Sequence, residues 1–148
     1  MNRSHYEDVV AARVLGLVDD DLATRRFRHI REFERMLVDE GTTVVKMFLH
    51  ISKEEQRARL QARIDDPEKN WKFHHADIEV RAEWDEYHAR YEEALSATST
   101  DWAPWYVVPA DHKWVRDVAV VELLVEVFAA LDPRIPDAEL GLEGLVVE

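Results

Sequence analysis

Cysteine is absent from the 148 residues, which excludes disulfide bonds and thiolate metal sites. No run of about 18 or more apolar residues is present, and this argues against a membrane-spanning helix. The first eight residues lack the apolar core that a signal peptide has. These absences make a cytoplasmic protein the default expectation.

Glycine is scarce, with four residues at positions 16, 41, 141 and 144, and none of them precedes a lysine. The chain therefore contains no Gly-x-x-x-x-Gly-Lys loop, whose backbone N–H groups and lysine hold nucleotide phosphates. His50, His74 and His75 do not form a convincing metal set, because His50 lies in a predicted strand and the other two point to different sides. We predict no metal site built from side chains alone.

Acidic residues dominate the chain, which has a formal net charge of −12. Such a charge disfavours nonspecific binding to nucleic acid or to anionic membranes. The basic residues are concentrated, since residues 24–72 hold 12 Lys/Arg and 9 Asp/Glu while the rest hold 7 and 22. A basic stretch within an acidic chain can serve a polyanion, and solvated helix faces are the alternative interpretation.

Hydrophobic spacing predicts two helices in the first third of the chain, over 4–18 and 23–40. The second has an apolar stripe of Phe27, Ile30, Phe33 (or Glu34) and Leu37. Gly41 suits the position after a helix, where a positive φ is needed. Residues 43–51 are rich in β-branched and aromatic side chains and contain one charge, which predicts a strand covered on both faces.

A second helical region follows this strand. Ser52 and Glu55 form a capping box that predicts a helix over 53–65, with Leu60 and Ile64 facing inward, and Pro67 ends it. Residues 66–75 are predicted to be a loop. Asp77 is a plausible cap for a helix over 77–97, whose aromatic residues Trp84, Tyr87 and Tyr91 we assign to the core.

The last third contains a short strand at 105–108, which Pro109 stops, and a closing helix from Asp111 to about 131. Its predicted inner stripe consists of Val118, Val121, Leu124, Val125 and Phe128. Alternating strands and helices predict an α/β fold with parallel, covered strands. Two strands are too few for such a sheet, so we expect the rest of the sheet to come from elsewhere.

Several motifs occur in a recognisable order, at residues 2–7, 33–56, 66–73, 103–111 and 113–116. Together they resemble the type 2 polyphosphate kinase family over residues 2 to about 136. The letters EKNWKF at 68–73 look most like the subgroup that accepts both nucleoside mono- and diphosphates. In the order of that family, a glycine loop and three strands would lie upstream.

The resemblance implies a partial P-loop kinase three-layer fold with parallel strands and a helical lid. The domain would span 1–131, with the lid at about 57–90 and a tail at 132–148. The implied reaction is phosphoryl transfer between polyphosphate and nucleotides, with Mg²⁺ as cofactor. The implied partners are polyphosphate and nucleotide. Neither nucleic acid nor a membrane is an implied partner.

The resemblance also implies roles for individual residues. Arg3 would touch phosphate, and Glu7 would organise the metal or the transferred group. From the residues alone, Ser4 and Glu7 suggest an ordinary capping box instead. Phosphate or polyphosphate would be bound by cations of the lid and of the closing helix, namely Arg59, Arg63, Lys69, Lys72, Arg81, Lys113 and Arg116. Without the resemblance, the lid cations would be expected to pair with neighbouring carboxylates.

The missing glycine loop leaves three interpretations open. The first is a polyphosphate:nucleotide phosphotransferase that is inactive as these 148 residues alone. The second is a noncatalytic remnant or an assembly partner of a full-length homologue, and the third is a relative of nucleoside monophosphate kinases. In each case, we expect self-association or pairing with a complementary fragment.

Overall fold

The computed structural model describes residues 4–137, so Arg3 and the end of the predicted tail lie outside the described residues. Its elements, in chain order, are α1 (Ala11–Val14), α2 (Asp20–Asp39), β1 (Lys46–His50), α3 (Lys53–Asp65), α4 (Ala76–Ala82), α5 (Trp84–Thr98), β2 (Trp105–Pro109) and α6 (Lys113–Leu131). Two 3-10 helices, His5–Val9 and Asn70–Lys72, precede α1 and α4.

The two strands pair in parallel, with Lys46 opposite Trp105 and His50 opposite Pro109. A parallel pair needs a long crossover, and α3, α4 and α5 provide it. The predicted α/β fold with parallel strands is confirmed. Both strand predictions differ at their ends, because β1 is shorter than 43–51 and β2 includes Pro109 as its last residue.

Local capping signals explain the boundaries of α2 and α3. Ser52 Oγ accepts a hydrogen bond from the Glu55 backbone N–H at 3.1 Å, and α3 has the bounds that the capping box predicts. Gly41 has a φ of 85°, as expected after a helix. α2 begins three residues earlier than predicted, because Asp19 caps it by accepting from the Leu22 N–H at 2.7 Å.

Two predicted helices are each divided in the structure. In place of the predicted helix 4–18, the structure has a 3-10 helix followed by α1. α1 ends shortly before Gly16, which has a φ of 68°. The predicted helix 77–97 is split at Glu83 into α4 and α5. Asp77 lies inside the first turn of α4 rather than at its cap, and its carboxylate accepts from the His74 N–H at 3.1 Å.

The prediction of a strand covered on both faces was wrong for β1. Its only charged residue, Lys46, is the buried one, whereas Leu49 and His50 are exposed. Of the two alternatives predicted for the α2 stripe, Glu34 is the one that faces inward, with 2% exposure, whereas Phe33 is 42% exposed. Two opposite charges have therefore been brought together inside the protein.

These two charges are the centre of a buried polar network. Lys46 Nζ donates to Glu34 Oε2 and to the Thr98 carbonyl oxygen, both at 2.7 Å. Tyr6 Oη donates to Glu34 Oε1 at 2.6 Å, and Trp105 Nε1 donates to Thr98 Oγ1 at 2.9 Å. The network thus connects the first 3-10 helix, α2, both strands and α5.

The hydrophobic core lies beside this network, on the α2 and α5 side of the sheet. Its buried members come from the first 3-10 helix and the residue after it, α2 and α5: Tyr6, Val9, Val10, Phe27, Ile30 and Ala94. Burying apolar side chains contributes about 25 cal/mol per Å² of apolar surface, so this small cluster is the main apolar contribution to stability in the described residues.

The closing helix contradicts its predicted inner stripe. Val118, Val121, Val125 and Phe128 are exposed, and no residue of α6 is buried. Ile64 of α3 is exposed as well. The physical reason is that two strands offer too little surface for α6 to cover. No helix among residues 4–137 is long and apolar enough to cross a membrane.

The buried ion pair generates a stability prediction. Lys46→Met should lower the free energy of unfolding by about 3–5 kcal/mol, because it leaves the Glu34 carboxylate buried without its partner charge. The double variant Glu34→Leu/Lys46→Met should recover much of this loss, because no unpaired charge remains. Urea unfolding followed by circular dichroism measures both values.

The matched control is Lys53→Met, since Lys53 forms a more exposed pair with Asp85 at 3.8 Å. An exposed pair contributes about 0–1 kcal/mol, so this variant should unfold nearly as the parent does. Equal losses from Lys46→Met and Lys53→Met would contradict the role that we assign to the buried pair.

Candidate functional site

The carboxyl ends of β1 and β2 lie side by side, at the edge where parallel sheets bind ligands. The loops that follow the two strands are connected by a hydrogen bond from the Ser52 N–H to Asp111 Oδ1 at 2.7 Å. This bond holds the pKa of Asp111 below its usual range. Asp111 was expected to cap α6, but His112 is the cap residue, and the Asp111 carboxylate joins the two loops instead.

Two of the predicted phosphate ligands hold this edge together. Arg59 Nη2 donates to the carbonyl oxygens of Ala110 at 2.6 Å and Asp111 at 3.1 Å, and its Nε pairs with Glu55 at 2.7 Å. Arg81 Nη1 donates to the Lys53 carbonyl oxygen at 2.7 Å and to Gln56 Oε1 at 2.8 Å. Arg59 therefore connects α3 to the loop after β2, and Arg81 connects α4 to α3.

The other lid cations are exposed to solvent. Arg63 has no hydrogen-bonded or ion-paired partner among residues 4–137. Lys69 lies 2.5 Å from Asp66, whose pKa it lowers, and Lys72 Nζ lies 5.1 Å from the centre of the Trp71 ring. These three side chains can turn toward a polyanion without breaking a buried contact.

Beyond β2, Lys113 begins α6 and is exposed, while Arg116 pairs with Asp117 at 2.6 Å. No hydrogen bond or ion pair within the described residues joins them to the lid cations Arg63, Lys69 or Lys72. Arg59, through the Ala110 and Asp111 carbonyl oxygens, connects α3 to the loop that precedes α6.

Glu7 lies on the wall of an open cavity of about 380 Å³ beside β1. Met47, Phe48, Tyr91 and Trp105 form much of the remaining wall. Ser4 caps the 3-10 helix that carries Glu7, by accepting from the Tyr6 N–H at 3.3 Å. Arg3, the other predicted catalytic residue, lies outside the described residues.

Metal binding would need more than the carboxylate of Glu7. Within residues 4–137, no three His, Asp or Glu side chains are grouped so that they could hold a metal ion. Mg²⁺ bound to phosphates commonly takes only one or two protein carboxylates and keeps several waters. Residues 4–137 would therefore supply only some of the ligands of such a Mg²⁺ ion.

Two buried cations were not assigned by sequence reasoning. Lys46 is the lone charge in an apolar strand, and that isolation is the one sequence signal for a buried partner. Arg13 is buried and pairs with Asp20 at 2.5 Å and Glu93 at 2.6 Å. Burial lowers its pKa, but the two carboxylates outweigh that effect and the net pKa is raised. No spacing in the sequence indicates this triad.

The fold and the cationic edge define a class of protein, the α/β proteins with a P-loop kinase-like arrangement of parallel strands. The family described as Polyphosphate kinase 2 (PPK2) matches residues 1–135. The chain therefore belongs to the PPK2 family, as the motifs of the sequence indicate.

Individual relatives agree with this membership. The chain is 54% identical, over 99% of its length, to the AMP/ADP-polyphosphate phosphotransferase of Meiothermus ruber and covers 55% of that protein. It is 43% identical to the ADP-polyphosphate phosphotransferase of Rhodopseudomonas palustris, with coverages of 92% and 51%. The crystal structure of Polyphosphate Kinase 2 from Arthrobacter aurescens TC1 matches with a TM-score of 0.89 and 46% identity, over 93% of this chain and 49% of that one. The chain thus spans about half the length of these relatives.

Proposed function

We propose that this chain contributes to phosphoryl transfer between inorganic polyphosphate and nucleotides, with AMP and ADP as the nucleotide partners. The observation that carries the proposal is the 54% identity, across nearly the whole chain, to an AMP/ADP-polyphosphate phosphotransferase. The 148 residues would supply the lid and two strands of the transferase domain. A glycine-rich loop from another segment would complete the site.

The exposed cations Arg63, Lys69 and Lys72 are proposed to bind polyphosphate. Closing a cationic lid over the substrates excludes water and stabilises the charge that develops on the transferred group. Lys113 and Arg116 would reach phosphate from the α6 side. Lys69 and Arg116 would exchange their carboxylate partners for phosphate oxygens on binding.

Arg59 and Arg81 have a second task in this proposal. Each uses only part of its five N–H donors on the partners described above, so the remaining donors can still reach phosphate. Because each also connects a lid helix to a neighbouring segment, its substitution would affect the lid geometry as well as phosphate binding.

Arg3 and Glu7 are proposed to act at the transferred phosphoryl group. Glu7 would contribute one carboxylate oxygen toward Mg²⁺ held mainly by phosphate oxygens, and Arg3 would touch phosphate. The ion would neutralise charge on the phosphates. The described residues support no more detailed role for it.

The exposed stripe of α6 is proposed to be covered by a complementary part of a PPK2 domain. Two observations support this: nothing within residues 4–137 covers the stripe or pairs with the free edge of β1, and the chain matches only 49% of a solved homologous chain. Pairing between two copies of this chain is the alternative. An assembly partner without catalytic activity would use the same surface.

The proposed transfer can be tested with a chimera. This chain would replace the matching segment of the Meiothermus ruber phosphotransferase, and the chimera should form phosphorylated nucleotide from polyphosphate and AMP or ADP. The 148-residue chain alone should form none, because positioning and charge stabilisation by a glycine-rich loop supply most of such catalysis. Chromatography of the nucleotides measures both reactions.

The control is the Glu7→Gln chimera, which should fold normally and lose about 100-fold or more in kcat if Glu7 acts at the reacting group. A folded parent chimera without transfer would contradict the proposed function. Transfer from ATP but not from polyphosphate would favour the nucleoside monophosphate kinase interpretation. Turnover by the 148 residues alone would reveal a different phosphate cradle.

Polyphosphate binding should depend steeply on salt, because each neutralised phosphate releases a counterion. Changing Arg63, Lys69 and Lys72 to Gln should flatten the plot of log affinity against log salt by about 2 units. The matched control changes Arg28, Arg90 and Arg134 to Gln, three arginines outside the proposed site with exposed or partly exposed side chains. Calorimetric titration at several salt concentrations would measure the slopes, and equal flattening in both sets would mean that attraction is only diffuse.

The α6 surface leads to a prediction about association. Val121→Glu should weaken self-association of the 148-residue chain while each copy keeps its fold, because Val121 is exposed within one copy. Glu122→Gln, at the next position of α6, is the control and should associate as the parent does. Sedimentation across a range of concentrations measures the change. A parent chain that stays monomeric, with a cooperative high-temperature melt, would contradict the proposed covering of α6.

A further inference from the structure

The loop after β2 holds α3 at two points. At the start of the helix, the N–H of the cap residue Ser52 donates to Asp111 Oδ1 at 2.7 Å. Further along, Arg59 Nη2 donates to the carbonyl oxygens of Ala110 at 2.6 Å and Asp111 at 3.1 Å. Arg59 follows Ser52 by two helical turns, so the two points lie about 10 Å apart along the helix axis.

The loop that makes these contacts is itself fixed to the sheet. The Ala110 N–H donates to the His50 carbonyl oxygen at 2.8 Å, beside the last paired residues of β1 and β2. Ala110 is also 2% exposed. Asp111 therefore directly follows a buried residue that is bonded to β1, and its carboxylate connects the sheet to the first turn of α3.

Two separated contacts fix the direction of a helix axis, whereas one contact leaves the helix free to pivot. The Arg59 side chain is long and has several rotatable bonds, so alone it restrains α3 only loosely. The short side chain of Asp111 accepts a charge-assisted hydrogen bond from a backbone N–H, which permits little movement. Arg81 does not replace this contact, because it joins α4 to α3 and not α3 to the sheet.

The direction of α3 decides where Arg63 lies. Arg63 is four positions after Arg59, so the two guanidinium groups share one face of the helix. Arg63 is exposed, and it is one of the three cations proposed to bind polyphosphate. If the start of α3 moves while Arg59 stays attached, Arg63 is displaced, and a misplacement of about 1 Å can cost up to about 100-fold in rate.

We propose that Asp111 is a positioning residue for polyphosphate, because its carboxylate fixes the start of α3 and thereby places Arg63 against the phosphate chain. The inference rests on the proposed function and extends it, since it adds a residue that acts through Arg63 and touches no phosphate itself. The expected sign of its effect is distinctive. A carboxylate repels a polyanion, so electrostatics alone predicts tighter binding without Asp111, whereas loss of positioning predicts weaker binding.

The first test measures the position of α3 and involves no ligand. Because the chain contains no cysteine, Ala62→Cys in α3 and Glu92→Cys in α5 provide two specific sites for spin labels. The distribution of distances between the labels should be broader or shifted in Asp111→Ala. It should be unchanged in Asp111→Asn, whose amide oxygen can still accept from Ser52. Dilution with unlabelled chain removes distances between copies. An unchanged distribution in Asp111→Ala would overturn the proposal.

The matched control is Asp19→Ala. Asp19 Oδ1 also accepts one backbone N–H, that of Leu22, at 2.7 Å, and it caps α2, which carries none of the proposed phosphate ligands. Losing this bond should lower the stability of the chain without moving α3. Equal broadening in Asp19→Ala and Asp111→Ala would mean that the two aspartates contribute only to stability, and the positioning role would then be wrong.

Steady-state kinetics of the chimera test the sign of the effect. Asp111→Ala should raise KM for polyphosphate roughly 5- to 20-fold, since a displaced Arg63 loses part of a charge-assisted contact, while KM for AMP stays constant. Asp111→Asn should keep KM for polyphosphate at or below the parent value, and Asp19→Ala should leave it unchanged. A lower KM for polyphosphate in Asp111→Ala would show that the carboxylate only repels the polyanion, which contradicts positioning.

A double-mutant cycle tests whether Asp111 acts through Arg63. In a chimera that already carries Arg63→Gln, adding Asp111→Ala should change KM for polyphosphate by less than about 2-fold. Independent, multiplying effects would overturn the proposal and leave the transferase proposal intact. A folded parent chimera without transfer would instead contradict the proposed function. Calorimetric titration of the 148-residue chain with tripolyphosphate would then decide the positioning role, which requires weaker binding in Asp111→Ala than in Asp19→Ala.

Discussion

The ion pair between Lys46 and Glu34 is the interaction on which the rest of the structure depends. Both side chains are almost fully buried, and each is satisfied, Lys46 by Glu34 and the Thr98 carbonyl oxygen and Glu34 by Lys46 and Tyr6. Burying two charges costs several kcal/mol per ion unless geometry and further hydrogen bonds compensate. Since the partners come from different elements, the pair is stable only when those elements are correctly assembled, and it therefore selects one arrangement of them.

This constraint extends to two elements beside the candidate site. Tyr6 is adjacent to Glu7 in the same 3-10 helix, so its hydrogen bond to Glu34 fixes the turn that carries the proposed catalytic carboxylate. Thr98 ends α5, the helix that carries Trp84 and His88 beside the carboxyl end of β1, and its carbonyl oxygen accepts from Lys46 in β1. The predicted lid is attached differently, through Arg59 and Arg81 at the strand ends and the start of α3.

Prediction from sequence succeeded where a local signal decides the outcome. Ser52 sets the start of α3, Gly41 takes the positive φ after α2, and the alternation of elements predicts parallel strands. Prediction from sequence failed where residues that are distant along the chain determine the structure. The α6 stripe was expected to be inward, but the second surface it needs is not among the described residues, and Asp111 bonds to Ser52 across the strand ends rather than capping α6. The family motifs identified the candidate cations, but their spacing does not distinguish Arg59, bound to backbone oxygens, from the exposed Arg63.

The sequence by itself determined the family, the parallel α/β class and the limits of α3, because motifs, caps and hydrophobic periods are properties of neighbouring residues. Only the tertiary structure decided that the lone charge of β1 is buried, that Glu34 rather than Phe33 faces inward, and that Trp84, His88 and His50 surround one pocket. Trp84, His88 and His50 are separated by between 4 and 38 positions along the chain. Their contacts depend on how a strand and helices pack. Many side chains contribute to the free energy of that packing, and no local sequence pattern connects them.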